Sequence, residues 1–315
     1  GEEESEEESE DEEKKLEREK SALIQSYRRH PKLSTVAELQ GELRSAGVKK
    51  YRSLRKDKMV ATVLRERLRR VVENGYLESL HDVLWHGADV NGRYVIEGRS
   101  LSLLHIAAKN GYADVAKALM KKGLEANVED SNEESPLHYA SRLGYVRVAE
   151  VLVEEGADIY RKGKYDRSPL HYASLHNTTD VVKFLVAKGA DVSVTDKDGL
   201  TPLHLAASSG NDKVVKLLIE AGADIHPNGK TTILMTAVEE RQVNVVRVVL
   251  EEEFKIIEQE NESDGEEAES SVVVSSVEKN NNSFLEGHDL KLRDAKLLRV
   301  KELKSELQLM GMKFR

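Results

Sequence analysis

The chain has 315 residues, of which 39% are hydrophobic and 33% charged, and its formal net charge is −9 at pH 7. It contains no cysteine, which excludes a disulfide framework and a thiolate metal site, and no apolar run approaches the length of a membrane span. Because the first residue is Gly1 rather than Met, a targeting peptide missing from this sequence would leave no trace in it.

Charge is distributed very unevenly near the N-terminus. Residues 1–20 hold twelve acidic and four basic side chains, whereas residues 28–70 hold fourteen basic and four acidic ones. Residues 1–27 are therefore predicted to be a disordered acidic tail, which acts either as a solubility segment or as an intramolecular lid on the basic block. A basic block in an otherwise acidic chain indicates a polyanionic partner.

The basic block, residues 28–70, has the pattern of a small helical module. In "STVAELQGELRSAG", Thr35 and Glu38 have the spacing of a capping box, and Gly47 is a stop signal. The apolar stripe predicted for this first helix consists of Val36, Leu39 and Leu43. A basic turn, "VKKYRSLRKDK", then precedes a second helix, "MVATVLRERLRRVV", whose apolar positions are Met59, Val60, Val63, Leu64, Leu68, Val71 and Val72.

Two stretches of this module resemble known nucleic-acid-binding families. "TVAELQGELRSAGV" resembles the first helix of the SAP motif, a helix–turn–helix-like module that binds DNA. "YRSLRKDKMVATVL" is similar to the second half of the Rho-N module, which also occurs in RNA-binding proteins. The resemblance implies that DNA or RNA binds here, mainly through phosphate contacts. The nucleic-acid-binding residues predicted on this basis are Arg44, Lys49, Lys50, Arg52, Arg55, Lys56 and Lys58.

A histidine recurs every 33 residues in the middle of the chain. Residues 135–144, "SPLHYASRLG", and residues 168–177, "SPLHYASLHN", share seven consecutive letters, and the period places His105, His138, His171 and His204 at equivalent positions. A fixed period of this size indicates stacked supersecondary units. Neighbouring helices pack about 8–10 Å apart, whereas a metal holds its ligands at about 2 Å, so these histidines are predicted to be structural.

Each copy also carries helix start and stop signals. Ser135 and Pro136 suit the cap and first position of a short helix, Gly144 ends it, and a second helix, "RVAEVLVEEG", ends at Gly156. "TPLHLAASSGNDKVVKLLIEAGADI" resembles the ankyrin repeat almost letter for letter. The resemblance implies an all-α solenoid over residues 71–253, built of helix–turn–helix repeats with β-turn or hairpin loops. It has about five to six repeats including atypical caps.

The ankyrin resemblance also implies a role for particular side chains. The repeated histidines would tie adjacent helices and loops together, and a protein partner would bind on the concave face and the turn tips. The protein-binding residues predicted on this basis are Tyr139, Arg142, Tyr165, Arg167, Tyr172 and His176. The fifth copy is degenerate, because Met235 stands where histidine is expected and Arg241 stands at the position of Gly210.

The C-terminal part returns to the pattern of the basic module. Residues 254–287 are predicted to be an acidic and polar linker. In residues 288–315, "RVKELKSELQLMGM" matches "TVAELQGELRSAGV" and is a second SAP-like helix, but an incomplete one, since the chain ends before any second helix. One such helix cannot bury its apolar stripe alone, so either the sequence is truncated or the helix packs elsewhere.

No motif in the chain indicates catalysis. A phosphate-binding loop, an HExxH motif and a nucleophile elbow are all missing, so no catalytic residue, cofactor, metal or small-molecule substrate is predicted, and no membrane contact. The predicted function is a non-enzymatic adaptor that binds a protein through its repeats and DNA or RNA through the basic module. The alternative is a pure protein–protein scaffold whose basic helices cap the repeats. The predicted location is the nucleus, with the plastid as the alternative.

Overall fold

A computed structural model describes residues 34–49, 51–225 and 233–263, together with Ser21, Gln25, Tyr27, Arg29 and Pro31. Residues 1–20 of the predicted acidic tail and the C-terminal SAP-like helix lie outside the described residues. Tyr27, the last residue of that predicted tail, is 2% exposed, so the prediction of disorder is wrong at Tyr27. The chain divides into two compact units. The first comprises Gly1–Ala173, Asp180–Asp191 and Asp196–Asp198, and the second comprises Ser174–Thr179, Val192–Thr195 and Gly199–Arg315.

Helix α1 (Val36–Ser45) begins at the predicted capping box. The Thr35 hydroxyl accepts a hydrogen bond from the Glu38 N–H at 3.2 Å, and the Glu38 carboxylate accepts one from the Thr35 N–H at 2.6 Å. Leu39 and Leu43 are fully buried, but Val36 is 44% exposed. The predicted three-residue stripe is therefore wrong at Val36, which lies in the first turn of a short helix, beyond the surface that α2 covers.

Helix α2 (Lys56–Glu73) is the longest in the basic module and packs against α1. All seven apolar positions predicted for it are buried. The helix begins three residues earlier than predicted, so Lys56 and Lys58 lie in its first turn rather than in the basic turn. It also continues past residue 70, so the predicted boundary between the basic module and the repeats falls inside α2.

Helix α3 (Leu77–Trp85) is followed by a β-hairpin, a connection of the kind predicted between repeats, although the sequence analysis assigned no residues to its strands. Strands β1 (Arg93–Ile96) and β2 (Arg99–Ser102) pair antiparallel, with Tyr94 opposite Leu101. Glu97 and Gly98 form the two-residue turn, with φ of 51° and 77°. Left-handed backbone at both turn positions matches the twist of the strands.

The first unit continues as pairs of short helices. The pairs are α4 (Leu103–Asn110) with α5 (Ala113–Lys121), α6 (Pro136–Leu143) with α7 (Val146–Glu154), and then, after a 3₁₀ turn at Lys164–Asp166, α8 (Pro169–Leu175) and α9 (Thr179–Ala187). The first helices pack in the order α2, α4, α6, and the second helices in the order α3, α5, α7. Helix α2 therefore occupies the position of the first helix in the first repeat.

The second unit repeats this arrangement. It contains α10 (Pro202–Ser208), α11 (Asp212–Glu220), α12 (Ile233–Glu239) and α13 (Val243–Ser263), with α10 packed on α12 and α11 on α13. Helix α13 extends ten residues into the predicted linker of residues 254–287. Its sequence there is rich in Glu, Lys and Gln, which favour helix, so acidic composition alone did not predict a linker correctly over residues 254–263.

Glycines between the two helices of a repeat are covered by the next repeat. Gly111 has φ of 80°, and a Cβ placed on it would lie 2.8 Å from the ring of Tyr145. Gly75 has the same relation to Tyr112, at 2.7 Å. A side chain at either glycine is excluded both by backbone conformation and by this close contact.

The predicted all-α fold class is confirmed for the described residues, whose strand content is the one hairpin. Each helix found in that part of the chain is too short or too polar to span a lipid bilayer.

Candidate functional site

The basic segment, defined here as residues 49–58, is exposed on the first unit. Lys49, Arg52, Arg55, Lys56 and Lys58 all have exposed side chains, and Lys50 lies outside the described residues. Within the part of the chain that the structure describes, no ion pair involves Lys49, Arg55, Lys56 or Lys58. Among the described residues, the segment therefore presents several positive charges to solvent without an ion-pair partner.

The N-terminus of α2 is an unfavourable place for these cations. Arg55 is the N-cap residue and makes no side-chain capping bond, and Lys56 and Lys58 follow in the first turn. The positive end of the helix dipole repels such charges, by roughly 0.3–1 kcal/mol each when exposed. Asp57 is the acidic side chain in this turn, so three cations are offset by one carboxylate.

Arg44, the remaining residue of the predicted nucleic-acid set, is held within the module. Its Nε donates to the Tyr51 hydroxyl at 3.0 Å, and this hydrogen bond holds the pKa of Tyr51 below its usual value. Arg52 acts on the same phenol in the same direction. Tyr51 thus positions Arg44 at the edge of the basic segment.

The other half of the basic block stabilises the fold. Arg67 is buried and donates to the Glu42 carboxylate of α1 at 2.7 Å and to the Arg29 carbonyl at 2.7 Å. Arg69 pairs with Glu66 and Glu73 at 2.9 and 2.6 Å. The positive charge of residues 28–70 is therefore divided between structural arginines and the basic segment.

Arg65 and Arg70 also have intramolecular partners. Arg70 donates to the Ser45 carbonyl at 2.9 Å. The Arg65 guanidinium lies 5.0 Å from the centre of the Tyr94 ring and donates to the Arg93 carbonyl. Arg65 thereby joins α2 to the β-hairpin.

The repeated histidines connect each helix cap to the next turn. His105 Nδ1 lies 2.7 Å from the Ser102 hydroxyl, and its Nε2 lies 2.8 Å from the Glu134 carbonyl. His138 has the same arrangement, with Nδ1 at 2.9 Å from the Ser135 hydroxyl and Nε2 at 3.1 Å from the Arg167 carbonyl. Both ring nitrogens of each histidine are therefore engaged within the protein.

The same cap contact is present at the other two copies. His171 Nδ1 lies 2.9 Å from the Ser168 hydroxyl, and His204 Nδ1 lies 2.9 Å from the Thr201 hydroxyl. Burial lowers the pKa of His105 and of His138 to about 4, so both rings are neutral near pH 7. Over the described residues, no group of three or more His, Asp or Glu side chains is arranged to hold a metal ion.

A cluster of polar side chains surrounds the carboxylate of Glu134, which is 1% exposed. Arg99 from the hairpin and Arg142 from α6 each approach it at 3.0 Å, and the Tyr172 hydroxyl donates to it at 2.6 Å. A second buried carboxylate, Asp130, accepts from the Tyr139 hydroxyl at 2.8 Å. These six residues are called the Glu134 cluster below.

Two predicted protein-binding residues are consequently not exposed anchors. Tyr139 and Tyr172 are 4% and 5% exposed, and both hydroxyls donate to buried carboxylates. Burial raises the pKa of Tyr139 to about 12 and raises that of Tyr172 as well. The Arg142 guanidinium lies 4.8 and 5.2 Å from the two ring centres, so it too is committed to packing inside the cluster.

The remaining members of the predicted protein-binding set lie elsewhere. Tyr165 is 44% exposed in the 3₁₀ turn between α7 and α8. Arg167, directly after this turn, pairs with the buried Asp196 at 3.0 Å. His176 is exposed and follows the end of α8, in the second unit.

Sequence reasoning missed Arg99, Asp130 and Glu134, which organise the Glu134 cluster. Glu134 directly precedes the Ser135 cap, where the equivalent positions hold Arg167 and Leu200. Because this position varies between copies, the 33-residue period contains no signal for it.

Comparison with known proteins places most of these elements in one family. The family model for ankyrin repeats, in its three-copy form, matches residues 68–163 and 170–261, together more than half of the chain. The match begins inside α2, so the resemblance of residues 28–70 to SAP and Rho-N modules stays a prediction. No curated protein sequence matches the chain.

Proposed function

Because this chain belongs to the ankyrin-repeat family, we propose that it is a non-enzymatic adaptor whose repeats bind a protein partner. The observation that carries the proposal is the match over residues 68–163 and 170–261, since ankyrin repeats indicate protein–protein interaction. The side chains proposed to contact the partner are Tyr165 and His176, which are exposed, together with Arg167, which is only partly exposed.

The test is capture of partners from cells with the full chain, followed by cross-linking and mass spectrometry. A protein that is cross-linked to residues 68–261 supports the proposal. The control is a variant with Tyr165 and His176 replaced by Ala, which should retain its helical circular dichroism and lose the partner; Arg167 is kept because it pairs with the buried Asp196. Capture of no protein at all by the wild-type chain would contradict the proposal.

A second candidate function is nucleic-acid binding by the basic segment. It is supported by the placement of Arg55, Lys56 and Lys58, exposed, at the positive end of α2. Charges kept where they destabilise a helix favour a binding role over a structural one. Contacts of this kind are made to phosphates and confer little sequence preference. A DNA or RNA partner would place the protein in the nucleus, or alternatively in a plastid.

The competing proposal is that α1 and α2 only cap the repeats. It is supported by the packing of α2 on α3 and α4 and by the start of the family match at residue 68. Retention of the full chain on immobilised DNA and RNA at several salt concentrations separates the two ideas. Loss of retention in a variant whose basic segment is neutralised supports the nucleic-acid anchor. Elution of the wild-type chain and this variant at the same salt concentration supports the cap alone.

A further inference from the structure

Tyr165 is an exposed aromatic ring surrounded by cations. The Lys197 and Lys164 ammonium groups lie 4.5 and 4.8 Å from the ring centre, and the Arg167 guanidinium carbon lies 5.5 Å from it. Tyr165 is 44% exposed. Aromatic and arginine side chains are the residue types that most often dominate the energy of protein interfaces, and here both occur in one small surface, called the Tyr165 tip below.

The Tyr165 tip is fixed in place by the neighbouring turn. The Lys197 N–H donates to the Tyr165 carbonyl at 3.0 Å, and Arg167 pairs with the fully buried Asp196 carboxylate at 3.0 Å. Tyr165 and Asp166 both have left-handed backbone, with φ of 64° and 57°. Left-handed backbone recurs one repeat away from Asp166, at Glu133 and Gly199, so it belongs to the regular turn, and Tyr165 is the additional strained residue. Strained non-glycine backbone concentrates at functional sites.

The two lysines are available to an incoming anion. Within the described part of the chain, no ion pair involves Lys164, and the Lys197 ammonium lies 4.0 Å from the Asp198 carboxylate, a distance at the limit of an ion pair. Both lysines and Tyr165 are exposed. Both ammonium groups lie within 5 Å of the ring centre, so one ligand could contact this surface and neutralise both of them together.

We propose that the Tyr165 tip binds an acidic peptide segment of a partner protein, whose carboxylates pair with Lys164 and Lys197. The inference rests on the proposed protein-binding function and specifies the chemistry of the partner. Exposed Asp166 and Asp198 stand beside the two lysines. They repel the closely spaced phosphates of a nucleic acid, whereas a peptide can place its carboxylates apart from them.

The test uses a short labelled peptide of alternating glutamate and serine, with its glutamine counterpart and an oligothymidylate as comparison probes. Binding to the full chain is measured by fluorescence anisotropy at low and moderate salt. We expect the glutamate peptide to bind and the glutamine peptide not to bind. Joint Lys164→Glu and Lys197→Glu substitution should raise the dissociation constant about tenfold or more.

Lys188→Glu is the control, because the Lys188 ammonium also lies over an aromatic ring, at 5.7 Å from the centre of Phe184, but directly after helix α9 and not on the Tyr165 tip. It should leave the affinity unchanged. Equal affinity of the wild-type chain and the double variant would overturn the proposal. So would an affinity for oligothymidylate, rather than for the peptide, that depends on Lys164 and Lys197.

A Tyr165→Gly variant separates binding from folding. Glycine accepts left-handed backbone without steric cost, so the melting temperature should hold or rise while the peptide affinity falls. Unchanged affinity in this variant would remove the ring from the proposal and overturn it. If cellular partners still cross-link to residues 68–261 of the double variant, the adaptor function stands and the Tyr165 tip alone is excluded.

Discussion

The basic segment and the Glu134 cluster both contain cationic side chains, but these are exposed in the segment and paired with a buried carboxylate in the cluster. In the Glu134 cluster, Arg99 and Arg142 lie against a carboxylate that is 1% exposed, and both are within 3.0 Å of it. In the basic segment, Lys49, Arg55, Lys56 and Lys58 are exposed and form no ion pair with the described residues. One set of charges holds the hairpin and the helices together, and the other has no ion-pair partner among the described residues.

The difference shows that the surroundings of a cation, rather than its presence, indicate its role. Removal of one partner from a buried pair leaves an uncompensated charge and destabilises the fold strongly. Removal of an exposed cation from a helix N-terminus leaves nothing unpaired and relieves repulsion with the helix dipole. Substitutions in the Glu134 cluster should therefore lower the free energy of unfolding. Substitutions in the basic segment should leave it unchanged or raise it and should affect binding instead.

The largest expected effect is on nucleic-acid affinity. Replacement of Lys49, Lys50, Arg52, Arg55, Lys56 and Lys58 by Ala should lower affinity about a thousandfold at 0.1 M salt and reduce the salt slope by about three or more units, if four of them contact phosphates. The free energy of unfolding should stay the same or rise slightly. The measurement is a salt titration with one oligonucleotide, and urea unfolding of the same two proteins.

The control for this prediction removes the same charge elsewhere. It replaces six exposed lysines of the repeats, Lys121, Lys122, Lys183, Lys188, Lys213 and Lys216, by Ala. Nucleic-acid affinity that falls equally in both variants would mean that net charge alone, and not the basic segment, governs binding.

A smaller but still large effect is expected from Glu134→Gln. This change leaves Arg99 and Arg142 without their shared carboxylate and should lower the free energy of unfolding by about 3 kcal/mol. Glu133→Gln is the matched control, because Glu133 is exposed on the same turn and the change should stay within about 0.5 kcal/mol. Urea denaturation followed by circular dichroism measures both, and similar midpoints would show that the cluster contributes little.

The neutral histidines predict a loss of stability in acid. The pKa of His105 and of His138 is about 4 in the folded chain and about 6.5 when unfolded, so the unfolded state binds more protons between these values. Stability is therefore lost as pH falls from about 6.5 to about 4, by about 2 kcal/mol per histidine at pH 5. His138→Gln keeps a capping-box residue and should remove about half of this pH dependence. Identical pH profiles for the two proteins would contradict the burial argument.

The smallest effect is expected from the acidic tail, which lies outside the described residues. Removal of residues 1–20 should tighten nucleic-acid binding several-fold at low salt, because a tethered polyanion competes with phosphate at high local concentration. The gain should vanish at high salt, where exposed charges are screened. Titration of both proteins with one oligonucleotide measures it, and weaker binding after truncation would mean that the tail recruits the ligand.

Local signals in the sequence predicted a large part of the fold. The capping box at Thr35 and Glu38, the apolar positions of α2 and the serine–histidine start of the repeat helices each depend on residues a few positions apart. Such features are set by helix geometry alone. These local structures form in the same way wherever the rest of the chain lies.

The Glu134 cluster could not be predicted in the same way. It joins Arg99, Glu134 and Tyr172, which belong to three successive segments and occupy positions that no repeat rule relates. Tyr139 and Tyr172 were predicted to be partner contacts because aromatic side chains on a repeat helix suit an interface. Both tyrosines are buried against carboxylates that accept hydrogen bonds from their hydroxyls, and only the packed structure brings these groups together. The β-hairpin left a weak local signal, since the Glu97–Gly98 turn directly follows Tyr94, Val95 and Ile96, which favour a strand.

Helix α2 has a mechanical consequence for the proposed adaptor. One continuous helix of 18 residues, about 27 Å long at 1.5 Å per residue, has the basic segment at its start and the first repeat packed along its end. No hinge separates the two. A polyanion bound at Lys56 and Lys58 would therefore keep a fixed orientation and distance relative to the first repeats. A flexible tether would let both vary.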